Sequence, residues 1–253
     1  MKKYGIPAFA ILVALAAAFI HFVPGARWFI MSGTSSMMYP KPPALAEGKT
    51  HIACIGDSIT YGAGVLDENG DAYEELTWPY YLEEKFDGSV QLLNYGLCGR
   101  TLQKEGDYPY TDTYFYPVSR DCRADKYLIL LGTNDSKAQN WDAERYAQEL
   151  EEFVLSYKTL PNNPEVILVT PPHAFVMEGK DAVAYEIQAD VIQNEIVPIV
   201  KDTAQRLGLR CFDLNEASKD HPEWFGDGVH PNAAGNQEIA AFFYSCFEPN
   251  DEA

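Results

Sequence analysis

Residues 54–60 read Cys-Ile-Gly-Asp-Ser-Ile-Thr, and the rest of the chain is organised around this stretch. The apolar run at residues 51–55 predicts a buried strand, and Gly56 permits a tight turn at its carboxyl end. Because open α/β sheets bind ligands at the carboxyl ends of their strands, we expect Ser58 to lie at a ligand-binding edge. A serine hydroxyl is a weak nucleophile unless a neighbouring base accepts its proton, so the chain must supply that base from elsewhere.

Strand-like and helix-like stretches alternate along the rest of the chain. Five apolar runs predict strands at residues 51–55, 90–94, 126–131, 166–170 and 209–212. Helical spacing of apolar residues predicts helices at residues 76–86, 141–157, 181–207 and 232–247. Pro198 is expected to kink or split the third of these helices. The β-α-β alternation predicts a parallel sheet with helices on both faces, an α/β fold.

One segment interrupts this alternation, and we call it the tyrosine-rich segment (residues 99–120, GRTLQKEGDYPYTDTYFYPVSR). It is long, polar and aromatic, and its pattern predicts no regular secondary structure. Loops of this length are commonly lids, binding loops or disordered insertions. Since the segment follows a strand end, we expect it at the same rim of the sheet as Ser58.

A base for the serine is found near the carboxyl terminus, where residues 227–232 read Asp-Gly-Val-His-Pro-Asn. Asp227 would hold the His230 imidazole in one tautomer and stabilise the imidazolium that forms when the serine loses its proton. The same spacing also occurs where an aspartate merely caps a helix, so both interpretations stay open on spacing alone. His221, between Asp220 and Pro222, is a rival base that lacks this context.

Two further motifs place small residues and amide donors at strand ends. Residues 94–99 (NYGLCG) follow the second predicted strand, and residues 132–135 (GTND) follow the third. Acyl transfer needs hydrogen-bond donors aimed at the developing oxyanion. The Ser58 N–H, the Gly96 N–H and the Asn134 side chain are candidates for this role, although each motif by itself is also explained as a turn.

In the order GDSIT, NYGLCG, GTND and DGVHPN, these segments resemble the four conserved blocks of the SGNH (GDSL-type) hydrolase family. The resemblance covers about residues 50–247. It implies a flavodoxin-like three-layer α/β/α sandwich with a five-stranded parallel sheet, in agreement with the five predicted strands. No metal or organic cofactor is expected.

The resemblance also implies roles for individual residues. Ser58 is expected to be the nucleophile, His230 the general base, and Asp227 the residue that orients the histidine. Ser58, Gly96 and Asn134 are expected to form the oxyanion hole.

Three other residues are candidates for substrate binding: Asp57, Cys98 and His173. Asp57 and Asp135 are also explained as structural groups that bond loop backbone, and His173 as a surface residue. The five cysteines show neither a CxxC pair nor a zinc-ligand spacing, so the sequence predicts no metal site and no disulfide framework.

The length, composition and net charge limit the size of the fold and the kinds of partner that the chain can bind. Its 253 residues suit one large domain plus an appendage, and a hydrophobic content of 47% is enough for a substantial core. With 37 acidic against 19 basic residues the formal net charge is −18, which would repel phosphate backbones and argues against a nucleic-acid partner. The sequence does not indicate an oligomeric state.

The amino-terminal region predicts targeting to a membrane. Residues 1–31 begin with two lysines and continue as an apolar stretch, which is typical of an uncleaved signal anchor or a cleaved signal peptide; a buried core helix is the third alternative. The lysines favour a cytoplasmic amino end, so the rest of the chain would lie outside the cell, either tethered or secreted. Residues 32–48 read as a linker, and residues 49–253 as the hydrolase domain.

These expectations predict a serine esterase that hydrolyses short acyl esters, acetyl above all, on carbohydrate. The polar and aromatic insertion at residues 103–120 favours a sugar over a lipid. A lysophospholipid or other lipid ester is the alternative substrate, and acyl transfer to a sugar is an alternative reaction. A catalytically inactive glycan-binding module is the alternative from another class.

Overall fold

The computed structural model describes residues 41–247, and in this part of the chain the predicted strands form one parallel sheet. The strands are β1 Thr50–Gly56, β2 Val90–Gly96, β3 Lys126–Leu130, β4 Glu165–Val169 and β5 Arg210–Phe212. Their order is β2-β1-β3-β4-β5, the flavodoxin-like order. The predicted fold class is therefore confirmed, and strand bounds differ from the expectation by two residues or fewer.

Both faces of the sheet are buried, which explains why its strands read as continuous apolar runs. Along β1, Ala53 and Ile55 contribute to one core cluster, whereas Ile52 and Cys54 contribute to the other. Each of these four side chains is at most 1% exposed. Alternation along the strand thus supplies apolar side chains to two helical layers at once.

Eight α-helices lie among residues 41–247. They are α1 Ser58–Tyr61, α2 Trp78–Glu84, α3 Phe115–Asp121, α4 Ala143–Lys158, α5 Ala189–Val191, α6 Val197–Leu207, α7 Leu214–Ser218 and α8 Ala233–Phe247. Helices α2 and α8 pack on one face of the sheet, where the Trp78 ring meets Phe243 edge-on at 4.8 Å. Helices α3, α4 and α6 cover the other face. Asp142 caps α4 by accepting a hydrogen bond from the Arg145 N–H.

The prediction of a helix that begins at residue 181 is wrong for its first eight residues. Residues 181–188 are irregular apart from the 3₁₀ turn Ala184–Glu186, and the helix begins at Ala189. Val183 and Ile187 show helical spacing, but each packs into the core from an irregular backbone. Pro198 does interrupt the helix as expected: the π-helical turn Ile192–Ile196 directly precedes α6, whose second residue is this proline.

The prediction that the tyrosine-rich segment has no regular structure is also wrong. It contains the 3₁₀ turn Tyr110–Asp112 and most of α3. Tyr110 and Phe115 are fully buried, and the Tyr110 hydroxyl donates to the Tyr95 carbonyl at 2.8 Å. The abundance of polar residues around these rings hid their contribution to the core.

The predicted anchor at residues 1–31 lies outside the described residues, as does most of the predicted linker at 32–48. The last part of that linker lies beside β2, where Gln91 Nε2 donates to the Ala44 carbonyl and the Ala46 N–H donates to Gln91 Oε1. Within residues 41–247, none of the helices combines the length and apolarity that a membrane crossing requires.

Candidate active site

Ser58 lies at the carboxyl end of β1, beside the point where the strand order reverses between β1 and β3. The Asp57 side chain accepts a hydrogen bond from the Ile59 N–H at 2.9 Å and so begins helix α1 directly at the serine. The Ser58 hydroxyl oxygen lies 2.9 Å from Nε2 of His230. A residue 172 positions further along the chain therefore meets the serine at hydrogen-bonding distance.

The second half of the site is the loop that carries His230. Nδ1 of His230 lies 2.7 Å from Oδ2 of Asp227, while Oδ1 of Asp227 accepts hydrogen bonds from the N–H groups of Val229 and His230. Helix α8 begins only at Ala233, so Asp227 does not cap it. The aspartate instead accepts hydrogen bonds from the histidine ring and from two backbone N–H groups of its own loop.

A close backbone approach fixes the position of this loop. Gly228 has φ +88°, and a Cβ at this residue would lie 2.2 Å from the Phe175 carbonyl oxygen. The Phe175 N–H donates to the Gly228 carbonyl at 2.8 Å. Glycine is therefore required at position 228, both for the backbone conformation and for the contact with residues that follow β4.

The carboxyl groups near the site differ in their electrostatic surroundings. Although partial burial opposes the shift, hydrogen bonds from the His230 side chain and backbone hold the pKa of Asp227 well below its usual range. Burial raises the pKa of Asp57 to about 6, and burial likewise raises the pKa of Asp135 to about 6. Asp227 consequently stays ionised at pH values at which Asp57 and Asp135 bind a proton.

Gly96 requires a correction. Its N–H donates to Oδ1 of Asn94 at 2.9 Å, and Gly96 is not among the residues that line the cleft at Ser58. Glycine is needed at position 96 for packing, because a Cβ there would lie 2.2 Å from the Tyr61 nitrogen. The glycine of the same motif that lines the cleft is Gly99.

Asn134 lies at the expected place, in the turn after β3, and lines the cleft. Its Nδ2 donates to the Arg100 carbonyl at 3.1 Å and lies 3.4 Å from Oδ2 of Asp57. The contact with Asp57 is long, and a better acceptor in the cleft would compete with it for the amide hydrogen.

The cleft at Ser58 has a volume of about 250 Å³. Its lining combines the Ser–His pair with small, apolar and amide side chains and one cation. The lining residues are Ser58, Ala63, Leu66, Cys98, Gly99, Thr133, Asn134, Lys137, Tyr185, Ile187, Val229 and His230.

Of the three candidate substrate-binding residues, only Cys98 is among the residues that line the cleft. Cys98 lines the cleft, and burial raises the pKa of its thiol to about 12, so the thiol stays protonated. Asp57 is buried beneath the cleft. His173 is not among the lining residues; its ring packs against Phe175 at 4.8 Å. The rival base His221 stacks on Trp224 at 4.2 Å and is likewise not part of the lining.

Tyr185 is the aromatic residue that sequence reasoning missed. Residues 181–207 read as one helix, and nothing in a helical pattern singles out a tyrosine at its start. The rings expected at the rim were those of the tyrosine-rich segment, but none of residues 103–120 lines the cleft.

A larger cavity of about 680 Å³ lies beside β2, and its lining includes Gln91, Asn94 and Gly96. It does not include Ser58 or His230, so volume alone does not locate the chemistry. Among residues 41–247 no cluster of three or more His, Cys, Asp or Glu side chains is arranged to hold a metal ion.

A parallel α/β sheet that carries a hydrogen-bonded Ser–His–Asp row at its strand ends has the architecture of a serine hydrolase. Residues 54–238 match the GDSL-like Lipase/Acylhydrolase family. The chain therefore belongs to this family, and the resemblance inferred from the four motifs is confirmed.

Individual proteins are similar to the chain in sequence or in fold. The chain is 30% identical over 217 residues to an acetylxylan esterase of Xylanibacter ruminicola, a match that covers 78% of this chain and 43% of that protein. An aryl esterase structure from M. smegmatis has a TM-score of 0.64 at 21% identity, covering 78% of this chain and 97% of the other. A carbohydrate acetylesterase structure from Sinorhizobium meliloti has a TM-score of 0.61 at 22% identity, covering 79% and 100%. The two structures share the fold.

Proposed function

We propose that this protein is a serine esterase that removes short acyl groups, acetyl in particular, from carbohydrate. The observation that carries the proposal is the hydrogen-bonded row Ser58–His230–Asp227, which opens into a cleft of about 250 Å³.

The first half of the reaction forms an acyl-enzyme. The Ser58 hydroxyl oxygen attacks the ester carbonyl carbon, and its proton passes to Nε2 of His230, 2.9 Å away. The ionised Asp227, 2.7 Å from Nδ1, stabilises the imidazolium. When the tetrahedral intermediate collapses, His230 gives this proton to the departing alcohol oxygen. The sugar leaves with its hydroxyl restored.

The oxyanion of that intermediate needs donors in the cleft. We assign them to the Ser58 N–H, the Gly99 N–H and the Asn134 amide. Ser58 opens helix α1, and the first N–H groups of a helix have no partner within it. Gly99 takes the place of Gly96, whose N–H is bonded to Asn94. Removing one such donor typically costs about 2.7–4 kcal/mol of barrier.

The second half of the reaction frees the enzyme. Water enters where the alcohol left, gives a proton to His230 and attacks the acyl carbonyl. Collapse of this second intermediate returns the proton to Ser58 and releases the acid.

Two considerations support an acetyl group on a sugar. The first is the similarity to an acetylxylan esterase, over a segment that spans 43% of that relative. The second is the size of the cleft, about 250 Å³, which suits a short acyl chain better than a lipid chain. The complete Ser–His–Asp row argues against an inactive glycan-binding module.

The test compares esters with acyl chains from acetyl to decanoyl and acetylated xylo-oligosaccharides, using the purified full-length chain. We expect turnover to be greatest for acetyl and Ser58→Ala to reduce kcat by at least about 10³-fold. His230→Ala should have a comparable effect, while the matched variant His221→Ala should retain activity. Turnover that persists in Ser58→Ala would refute the mechanism. Turnover that rises toward decanoyl would replace the sugar ester by a lipid ester.

We further propose that residues 1–31 anchor the chain in the cell membrane, with residues 32–48 as a tether and the esterase domain outside. The paired lysines and the apolar stretch that follows them support this placement. Fractionation of cells that express the full chain should recover it, at full mass, with the membranes. Recovery in the medium at a reduced mass would indicate a cleaved signal peptide instead.

A further inference from the structure

Tyr185 is a fourth member of the hydrogen-bonded row. Its hydroxyl donates to Oδ2 of Asp227 at 2.9 Å, and the same oxygen faces Nδ1 of His230. With the two backbone N–H groups of Val229 and His230 on Oδ1, the Asp227 carboxylate accepts from four donors. A carboxylate offers about four acceptor positions, so Tyr185 completes the set.

The Tyr185 side chain contacts both this carboxylate and the His230 ring. It contacts the His230 ring at a centroid distance of 5.1 Å and an interplanar angle of 68°. Tyr185 nevertheless remains 56% exposed, and it lines the cleft at Ser58. Apart from the imidazole, it is the sole aromatic side chain among the described residues of that lining.

The backbone around Tyr185 is held in an uncommon conformation. Tyr185 has φ +59° and Glu186 has φ +61°, both in the left-handed region. Val183 and Ile187 on either side are at most 9% exposed, and the Gln188 N–H donates to the Ser136 hydroxyl at 3.1 Å. Left-handed non-glycine residues persist where the surrounding structure holds them, and such residues cluster at functional sites.

We propose that Tyr185 binds the alcohol half of the ester: its exposed ring packs against the sugar ring whose acetyl group lies at Ser58. The hydrogen bond from its hydroxyl to Asp227 fixes the ring beside His230, so Tyr185 is also a positioning residue for Asp227 and His230. An aromatic face suits the C–H face of a sugar, because both surfaces leave water on contact. The inference rests on the proposed esterase function and specifies which side of the cleft takes the sugar.

Two variants test the roles of the Tyr185 ring and of its hydroxyl separately. Tyr185→Phe keeps the ring and removes the bond to Asp227, whereas Tyr185→Ala removes both. Tyr73→Ala is the matched control, since Tyr73 is 46% exposed and is not part of the cleft lining.

Two substrates with the same acetyl group complete the kinetic test: an acetylated xylo-oligosaccharide and ethyl acetate, which has no ring. For Tyr185→Ala we expect KM for the sugar ester to rise about 10-fold relative to wild type, with little change in KM for ethyl acetate. For Tyr185→Phe we expect kcat to fall about 3- to 10-fold on both substrates, with KM for the sugar ester nearly unchanged. An equal KM change on both substrates in Tyr185→Ala would overturn the proposal.

A binding measurement keeps this inference separate from the proposed reaction. In the Ser58→Ala background, calorimetry with a deacetylated xylo-oligosaccharide should give a Kd about 10-fold weaker when Tyr185→Ala is added, and an unchanged Kd when Tyr73→Ala is added. An unchanged Kd on adding Tyr185→Ala would overturn the inference even if the enzyme hydrolyses acetyl esters. If the wild type hydrolyses neither ester, the proposed function fails while this binding result still decides the role of Tyr185.

Discussion

Two segments follow strand ends near the cleft, and they use their tyrosines in opposite ways. The tyrosine-rich segment follows β2 and buries Tyr110 and Phe115 completely, although its Tyr108 is 38% exposed. Residues 171–188 follow β4, contain a single tyrosine, and present it to the cleft with 56% of its surface exposed. The number of aromatic residues in a segment therefore does not indicate whether its rings meet the core or a ligand.

The difference has a structural cause in how each segment is held. In the tyrosine-rich segment the buried Asp135 carboxylate accepts hydrogen bonds from the backbone N–H groups of Leu102 and Gln103. These bonds hold the start of the segment against the core. In residues 171–188 the side chains of Val183 and Ile187 pack into the core, whereas Tyr185 between them has a left-handed backbone and lines the cleft.

The largest expected effect is on folding stability, and it separates the two segments. Phe115→Ala deletes a fully buried ring that packs edge-on against Tyr95 at 5.2 Å, and we expect it to lower the free energy of unfolding by about 3–5 kcal/mol. Tyr185→Ala, a truncation of similar size on an exposed ring, should change it by about 0.5 kcal/mol or less. Urea unfolding of both variants measures the contrast. Equal losses would mean that the Tyr185 ring is as much a part of the core as the Phe115 ring.

An intermediate effect concerns the carboxyl that anchors the tyrosine-rich segment. The pKa of Asp135 is about 6 in the folded protein, against about 3.9 in an unfolded chain. Between pH 4 and 6 the folded state therefore binds the proton more tightly, and stability falls as the pH rises through this window. A shift of two units corresponds to about 2–3 kcal/mol.

Asp135→Asn removes this contribution. Burial, together with the charge of Asp135, raises the pKa of Asp57 to about 6, so we expect the decline in the free energy of unfolding between pH 4 and 6 to be at least halved but not abolished. Urea titrations at several pH values, with wild type in parallel, measure the slope. An unchanged slope in the variant would show that Asp135 does not titrate in this window.

The smallest expected effect comes from deleting one hydroxyl in each segment. Tyr110→Phe removes a buried hydrogen bond to the Tyr95 carbonyl and should cost about 1 kcal/mol of stability with little effect on catalysis. Tyr185→Phe removes the hydrogen bond to Asp227. We expect this variant to have a lower kcat and a nearly unchanged free energy of unfolding. Thermal unfolding and turnover measured on the same preparations test this. The contrast between the segments fails if both variants lose stability alike.

Much of the fold and part of the site were predictable from local pattern. Apolar runs located all five strands, because a strand buried on both faces leaves a continuous signal. The helix predicted from residue 181 failed because Val183 and Ile187 satisfy helical spacing from a backbone that is not helical. The motif NYGLCG contains both Gly96 and Gly99, and spacing alone did not tell which of them lines the cleft.

The α/β class, the family and the motif residues Ser58, Asp227, His230 and Asn134 could be predicted from the sequence, since they depend on order and local pattern along the chain. Which tyrosine reaches the cleft, and which glycine N–H is already bonded to a neighbouring side chain, became known only from the folded chain. Both questions depend on contacts between residues that are far apart in the sequence or that compete for the same donor. Tyr185 and Asp227 are 42 residues apart in the sequence, and they meet next to the close contact between Gly228 and Phe175, a residue that follows β4.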